Sequence, residues 1–350
     1  MKKSLIIFVF AAMLLSGCTL QLGGSNTPTV AGVYKSVDSG VTWQAKNLFL
    51  HSKGVGQISG VNVSGLTFDP SDRKALYINS DTAGLLYSYD SADSWMKANG
   101  IGNAKIYSVA IDPKDRCTIY ATYNNTIIKS SDCNRSWTET YLDARAEKLV
   151  TALAVGLDDS KIIYAGNNAG EVLKSSDAGA TWQTINRVGD QIVKIMVDPF
   201  SPQTIYFATK SKGIFKAENA GLNWVNINNE LKSFSGALEY KSLIFDLSQP
   251  NSLILAAKYG LLKTTDGGLN WEPIKLITPA GATDIYSVAV NPKNNQEIYY
   301  STATTFYKST DGGVNWVTKR LPTNTAGTAM LIDPSDPKII YLGFSVIAKK

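Results

Sequence analysis

An eight-residue unit, Ser309-Thr310-Asp311-Gly312-Gly313-Val314-Asn315-Trp316, recurs in seven close copies, and no other feature of the sequence narrows the fold so far. The copies run from Ser36 to Trp43, Ser88 to Trp95, Ser130 to Trp137, Ser175 to Trp182, Ala217 to Trp224, Thr264 to Trp271 and Ser309 to Trp316, and they use all seven Trp of the chain. Short Ser and Asp side chains hydrogen-bond nearby backbone N–H groups, Gly supplies a positive φ, and the Trp falls on the strand after the turn. Such a unit joins antiparallel strands. Successive Trp are 52, 42, 45, 42, 47 and 45 residues apart, the spacing of a four-stranded propeller blade rather than of a two-helix repeat.

Four copies, those with Asp38, Asp177, Asp266 and Asp311, keep Ser/Thr-x-Asp-x-Gly-x-x-Trp in full. Beside Asp90 the Gly is replaced by Ala92, beside Asp132 by Asn134, and the fifth copy has Ala217 and Asn219 in place of Ser and Asp. Asn tolerates positive φ and Asn219 keeps an acceptor, so the altered turns are expected to survive. The first copy has only one strand before it, Gly32 to Ser36. After the last copy, Met330 to Pro334 and Lys338 to Leu342 form half a blade with no turn unit following. Six whole blades and two complementary halves predict an all-β chain: a single seven-bladed β-propeller closed by pairing its N- and C-terminal strands, which removes free sheet edges.

The first half of each blade carries its own signature. Asp69, Asp112, Asp198, Asp246, Asn291 and Asp333 close inner strands, and eight residues later come Tyr77, Tyr120, Tyr206, Ile254, Tyr299 and Tyr341. In the remaining unit six residues separate Asp158 from Tyr164. Inner strands alternate large and small residues, as the crowded middle of a ring requires. Lys precedes the turn at 35, 129, 174, 216, 263 and 308, read here as a solvent-facing position on an outer strand.

The turn unit resembles the Asp-box, or bacterial neuraminidase repeat, of sialidases, sortilin-type receptors, xyloglucan hydrolases and photosystem II assembly propellers, over nearly everything after residue 30. The resemblance implies that the boxes, with Asp38, Asp90, Asp132, Asp177, Asn219, Asp266 and Asp311 and with Trp43, Trp95, Trp137, Trp182, Trp224, Trp271 and Trp316, are structural hairpins away from the active face. The sialidase pattern needs three Arg, a Tyr with a Glu and an acid-base Asp. Here Arg145, Arg187 and Arg320 fall on connections between blades, and the Arg-Ile-Pro sequence of those enzymes is missing. The xyloglucan hydrolases use two propellers and two facing carboxylates. Loop candidates for such a pair are Asp143, Glu147, Asp190, Glu230 and Asp284. The photosystem II assembly propellers match in size and act by binding.

Residues 1–17 read as a lipoprotein signal peptide: Lys2-Lys3 precede eleven apolar residues, too few to span a bilayer, and Leu15-Ser16-Gly17-Cys18 matches a lipobox with Cys18 as the lipidated residue. Residues 18–30 are then a flexible tether and 31–350 the propeller. Thr19, rather than Asp, after the Cys points to an outer membrane where a cell has two, with the domain facing the periplasm or the exterior. Without Lys2 and Lys3, 32 basic residues face 29 acidic ones, too even a balance for a nucleic-acid binder. Cys117 and Cys133 flank a hairpin predicted to fold about Asn124-Asn125, which brings them side by side as a disulfide candidate in an exported protein. One His, His51, and two Cys give no metal-ligand spacing, and no nucleophile elbow or phosphate loop is present, so neither metal nor cofactor is expected.

The sequence therefore leads to an envelope-anchored, monomeric lipoprotein acting as a non-catalytic binding or assembly scaffold through its loop face. The expected recognition face is mildly basic, formed by Lys105, Arg145, Lys148, Arg187, Lys210, Lys212, Lys258, Lys319 and Arg320, and docks an acidic protein segment or glycan. The alternative is a glycoside hydrolase, sialidase-like or xyloglucanase-like, using loop carboxylates.

Overall fold

The structure, a computed structural model, describes residues 30–347. The lipidation site expected at Cys18, the leader and all but the last residue of the tether lie outside the described residues. Seven four-stranded antiparallel sheets follow one another along the chain and form a seven-bladed propeller. The first blade begins with Val63–Phe68, the second with Ser108–Asp112, the third with Val150–Val155, the fourth with Ile192–Val197, the fifth with Tyr240–Phe245 and the sixth with Ser287–Asn291. The seventh is composite. Ala326–Ile332 and Ile340–Ser345 supply its inner half and Gly32–Ser36 with Gln44–Ala45 its outer half, in the register Gly32↔Phe344 through Ser36↔Ile340. Thr325 Oγ1 also donates to Val30 O at 2.8 Å, so the ring closes by strand pairing and side-chain bonding together.

Each blade meanders from the axis outward, which sorts its turns onto two faces. Turns between strands one and two share a face with the Ser-x-Asp turns between strands three and four; connections between blades share the other face with the turns between strands two and three. On the turn face, Asp69, Asp112, Asp198, Asp246, Asn291 and Asp333 each accept a backbone N–H two residues on, at 2.8–2.9 Å. The local bond stops the inner strand where the sequence places that residue.

Layers of buried side chains hold the blades together, and the second-strand tyrosines lie at their centres. Tyr77, Tyr120, Tyr164, Tyr206, Tyr299 and Tyr341 are at most 1% exposed. Their hydroxyls reach across to the next blade's turn: Tyr120 donates to Ala178 O, Tyr206 to Gly267 O and Tyr341 to Ser91 O, at 3.1–3.3 Å. The Lys that precede the turns join the same joint, which corrects the expectation that they face solvent. Lys35, Lys129 and Lys174 lie over the Tyr341, Tyr120 and Tyr164 rings and donate to Ser91 O, Ala178 O and Ala220 O of the adjacent blade. Alternation put these Lys on the outward side of their strand, but the neighbouring blade covers that side. The stem is buried and the ammonium caps a carbonyl.

The connection holding His51 is itself a hairpin, Leu48–His51 with Gly54–Gln57, docked parallel to Trp95 through Phe49.

Candidate functional site

On the turn face every polar group is committed to the turn itself. In the first copy Ser36 Oγ accepts the Gly40 N–H and donates to Asp38. Asp38 also accepts the Thr42 N–H and hydroxyl, at 2.7 and 2.6 Å. The same arrangement recurs at Asp90, Asp132, Asp177, Asp266 and Asp311, with Ser94, Ser136, Thr181, Asn270 and Asn315 as donors. Those side-chain and backbone bonds hold Asp38, Asp132 and Asp177 down at about 2. Two consecutive residues of each turn have positive φ, including Ser91 with Ala92 and Cys133 with Asn134. At Asn219 the turn persists through backbone bonds rather than through the expected Asn acceptor: Ala220 N–H donates to Gln203 O and Leu222 N–H to Asn219 O. Trp182, Trp224 and Trp271 donate Nε1–H to the Gly of their own turns, whereas Trp95 and Trp316 reach Lys46 O and Lys275 O in neighbouring blades. Trp43 and Trp137 Nε1 have no partner. Cys117 and Cys133 are joined, with the Cys133 N–H donating to Cys117 O in the register the hairpin spacing predicts.

The connection face is built differently. Asp143, at the end of the second blade's outer strand, is buried and accepts two bonds at 2.8 Å from the Arg145 guanidinium and one at 3.1 Å from Tyr141. Arg145 also reaches Glu171 at 2.9 Å, and Glu171 receives Asn167 at 2.7 Å and Arg187 at 3.4 Å. The Arg145 bonds hold Asp143 at about 2. Burial alone would lift Glu171, but the bonds from Arg145 and Asn167 overcome it and leave the carboxyl below its ordinary value. Burial, with Asp143 adding to it, pushes the Tyr141 phenol up to about 12. A fork between two carboxylates fixes the junction of the second and third blades, and neither acid can serve as a proton donor.

Arg187 continues from this network into a groove of about 570 Å³ between the third and fourth blades. Partly buried Trp224 and Phe215 form its apolar wall, and Asn186, Asn226, Lys212 and Lys232 its polar edge. Asn228 Oδ1 accepts the Ile214 N–H at 2.8 Å, which pins one end. Two candidate carboxylates flank the groove. Asp190 accepts the Ser211 N–H and hydroxyl and the Lys212 N–H, at 2.6–3.0 Å, and this all-donor shell favours its ionised form. Glu230 precedes the short turn Leu231–Ser233, whose Lys232 lines the groove; among the described residues its exposed carboxyl has no partner. Of the other candidates, Glu147 is exposed and Asp284 pairs with Lys241 at 2.7 Å.

The basic residues expected to form a recognition face do fall on these loops, but many are neutralised there. Lys105 pairs with Asp81, Arg145 with Asp143 and Glu171, Arg187 with Glu171, and Lys258 with Glu239. Among the described residues Lys148, Lys210, Lys212, Lys319 and Arg320 form no ion pair, and they are scattered over four blades. Asp81, Glu171 and Glu239 lie on strands or tight turns, outside the long connections from which the basic excess was read. Among the described residues no group of three His, Cys, Asp or Glu can hold a metal ion.

A family model described as Sortilin, neurotensin receptor 3 (Sortilin-Vps10) matches residues 170–274. A xyloglucanase of Hypocrea jecorina (strain QM6a) is 27% identical over 237 residues, 61% of this chain and 26% of its own length. The crystal structure of a Niastella koreensis GH74 enzyme superimposes with a TM-score of 0.64 at 21% identity, over 81% of this chain and 51% of that one. The photosystem II assembly protein Ycf48 of Thermosynechococcus vestitus is 25% identical over 190 residues, 53% of this chain and 50% of its own. The chain thus resembles sortilin-type and assembly-factor propellers in fold and spans about a quarter of the length of the xyloglucanase it matches.

The functional expectation is corrected by these likenesses. A non-catalytic scaffold rested on matching size with the assembly propellers, yet xyloglucanases recur among both sequence relatives and structural neighbours. They favour a glycoside hydrolase, and the reading of the chain as not an enzyme falls with the scaffold. Ring size misled because it reports architecture, which unrelated functions share.

Proposed function

We propose that the chain is a glycoside hydrolase of the xyloglucanase kind, acting on a xyloglucan-type polysaccharide in the groove between the third and fourth blades. The observation that carries the reading is the placement of Asp190 and Glu230 at the flanks of a groove walled by Trp224 and Phe215. Apolar ring faces suit the C–H faces of sugars, and the amides of Asn186 and Asn226 suit their hydroxyls. Asp190, held ionised by its donors, supplies the carboxylate that activates water or attacks the anomeric carbon. Glu230, with no donor to hold it ionised, delivers a proton to the glycosidic oxygen as the C–O bond breaks. Support comes from the xyloglucanase likenesses; Asp190 and Glu230 themselves are assigned by their surroundings alone.

Release of reducing ends from xyloglucan by the purified full chain tests the reading. Asp190→Asn and Glu230→Gln should each lower kcat/KM by about 10²–10⁴-fold while leaving the melting curve unchanged. No release from xyloglucan, or release that survives both substitutions, overturns it. We also propose that the turn units are Asp-boxes and that acylation at Cys18 anchors the protein to the bacterial envelope. Cys18→Ala should then abolish labelling by a radioactive fatty acid, and persistent labelling would remove the anchor.

A further inference from the structure

The axis of the ring holds a second site, remote from the groove and independent of the hydrolase reading. Register defines one level of the inner strands unambiguously. Gly65 pairs with Asn79, Ser108 with Thr122, Ala152 with Gly166, Lys194 with Ala208, Ser242 with Ala256, Ser287 with Ser301 and Ala329 with Gly343. At that level six blades place Gly, Ala or Ser, and the fourth alone places a long cation. Lys194 lines both chambers of the axial channel, of about 270 and 440 Å³.

No carboxylate lines either chamber. The other cations there are committed: Lys241 to Asp284 at 2.7 Å, and Arg73 to the Phe68 ring at 5.9 Å. Among the described residues Lys194 has no hydrogen bond and no ion pair. The surrounding walls push its ammonium below the ordinary value, as expected of a cation removed from water with no counter-charge. The adjacent inner strand brings Tyr240 and Ser242 to the channel wall, and burial keeps the Tyr240 phenol protonated and able to donate.

We propose that the axial channel binds a small monovalent carboxylate through the Lys194 ammonium, with Tyr240 and Ser242 as hydroxyl donors. One unpaired ammonium in a channel without acids matches a single negative charge, and a charge-assisted bond there is shielded from competing water. A dianion would leave its second charge uncompensated.

Isothermal titration of the full chain with glucuronate, inorganic phosphate and glucose tests the site. Glucuronate should bind and glucose should not. Lys194→Met should weaken glucuronate binding at least tenfold, Lys194→Arg should restore it, and both variants should melt as wild type does. Equal binding to the Met variant, tighter binding of phosphate than of glucuronate, or no glucuronate binding to wild type overturns the proposal. Should the Met variant fail to fold, the wild-type protein still decides. Modification of Lys194 by an amine reagent, mapped by peptide mass, must be slowed by glucuronate and not by glucose, and unchanged modification overturns the site.

Discussion

The two faces of the ring solve the same problem, ending strands, by opposite means. On the turn face each Asp is satisfied within a few residues of its own chain: Asp38 by Ser36 and Thr42, Asp311 by Ser309 and Asn315. On the connection face acids are satisfied across blades, as Glu171 is by Arg145 and Arg187. Local satisfaction repeats and leaves nothing over for a ligand. Long-range satisfaction varies from blade to blade, and between its networks lie the groove and the unpartnered carboxyl of Glu230. A propeller can thus keep one face constant as scaffold while the other diverges.

The severest test of this contrast asks whether either face survives an open ring. Deleting residues 326–350 removes both inner strands of the seventh blade and leaves Gly32–Ser36 without its partner. Cooperative thermal unfolding should be lost, and a truncated chain that melts like the full one would refute closure.

Glycines offer a sharper comparison. A Cβ at Gly313, on the turn face at φ +93°, would lie 2.3 Å from Ile274 Cγ2, whereas one at Gly100, on the connection face at φ +79°, meets nothing within 4 Å. Gly313→Ala should cost about 2–4 kcal/mol, strain and overlap together, against about 1 kcal/mol for Gly100→Ala, read from denaturant midpoints. Equal costs would mean that the turn relaxes away from its neighbour.

Next in size is Arg145→Ala, which leaves buried Asp143 without its fork. Because Arg145 is half-exposed and water can enter, a loss of about 1–3 kcal/mol is expected, and Arg145→Lys should recover only part of it since one ammonium cannot span both acids. Full recovery by Lys would show that charge alone, without the fork, holds the junction.

Acid separates the faces more gently. Asp38, Asp132 and Asp177 have folded values of about 2, below the unfolded value of about 3.9. Their contribution is therefore complete above pH ~4 and is lost as pH falls through ~2. Melting temperature should decline between those limits, and replacing the three by Asn should flatten that decline; an unchanged slope would place the acid sensitivity elsewhere. The smallest effect expected is that of Lys174→Met, which removes one bond to Ala220 O and one cation over Tyr164, about 0.5–1 kcal/mol in the same melts.

The sequence by itself determined the ring. Seven Trp-ending turns, the Asp-to-Tyr spacing of the inner hairpins and two complementary half-blades prescribe seven sheets and their closure, because each signal is local and repeats at a fixed period. The Cys117–Cys133 register followed from the same hairpin arithmetic. What a neighbouring blade does to a side chain was not legible: Lys35, Lys129 and Lys174 look solvent-facing on their own strands, and only the adjacent turn converts them into caps. Glu171, the centre of the charge network, belongs to no motif and is joined to Arg145 by a fold that brings residues 26 apart in sequence into contact. Trp224 and Phe215 read as turn and strand residues until two blades set them along a groove. Lys194 left a trace, a long residue where aligned inner strands carry Gly, Ala or Ser, but its meaning depends on six other blades forming walls around it. Hydrogen bonds within a turn are fixed by a few residues of sequence, whereas the surroundings of a charge are fixed by whatever distant chain the closed ring brings beside it.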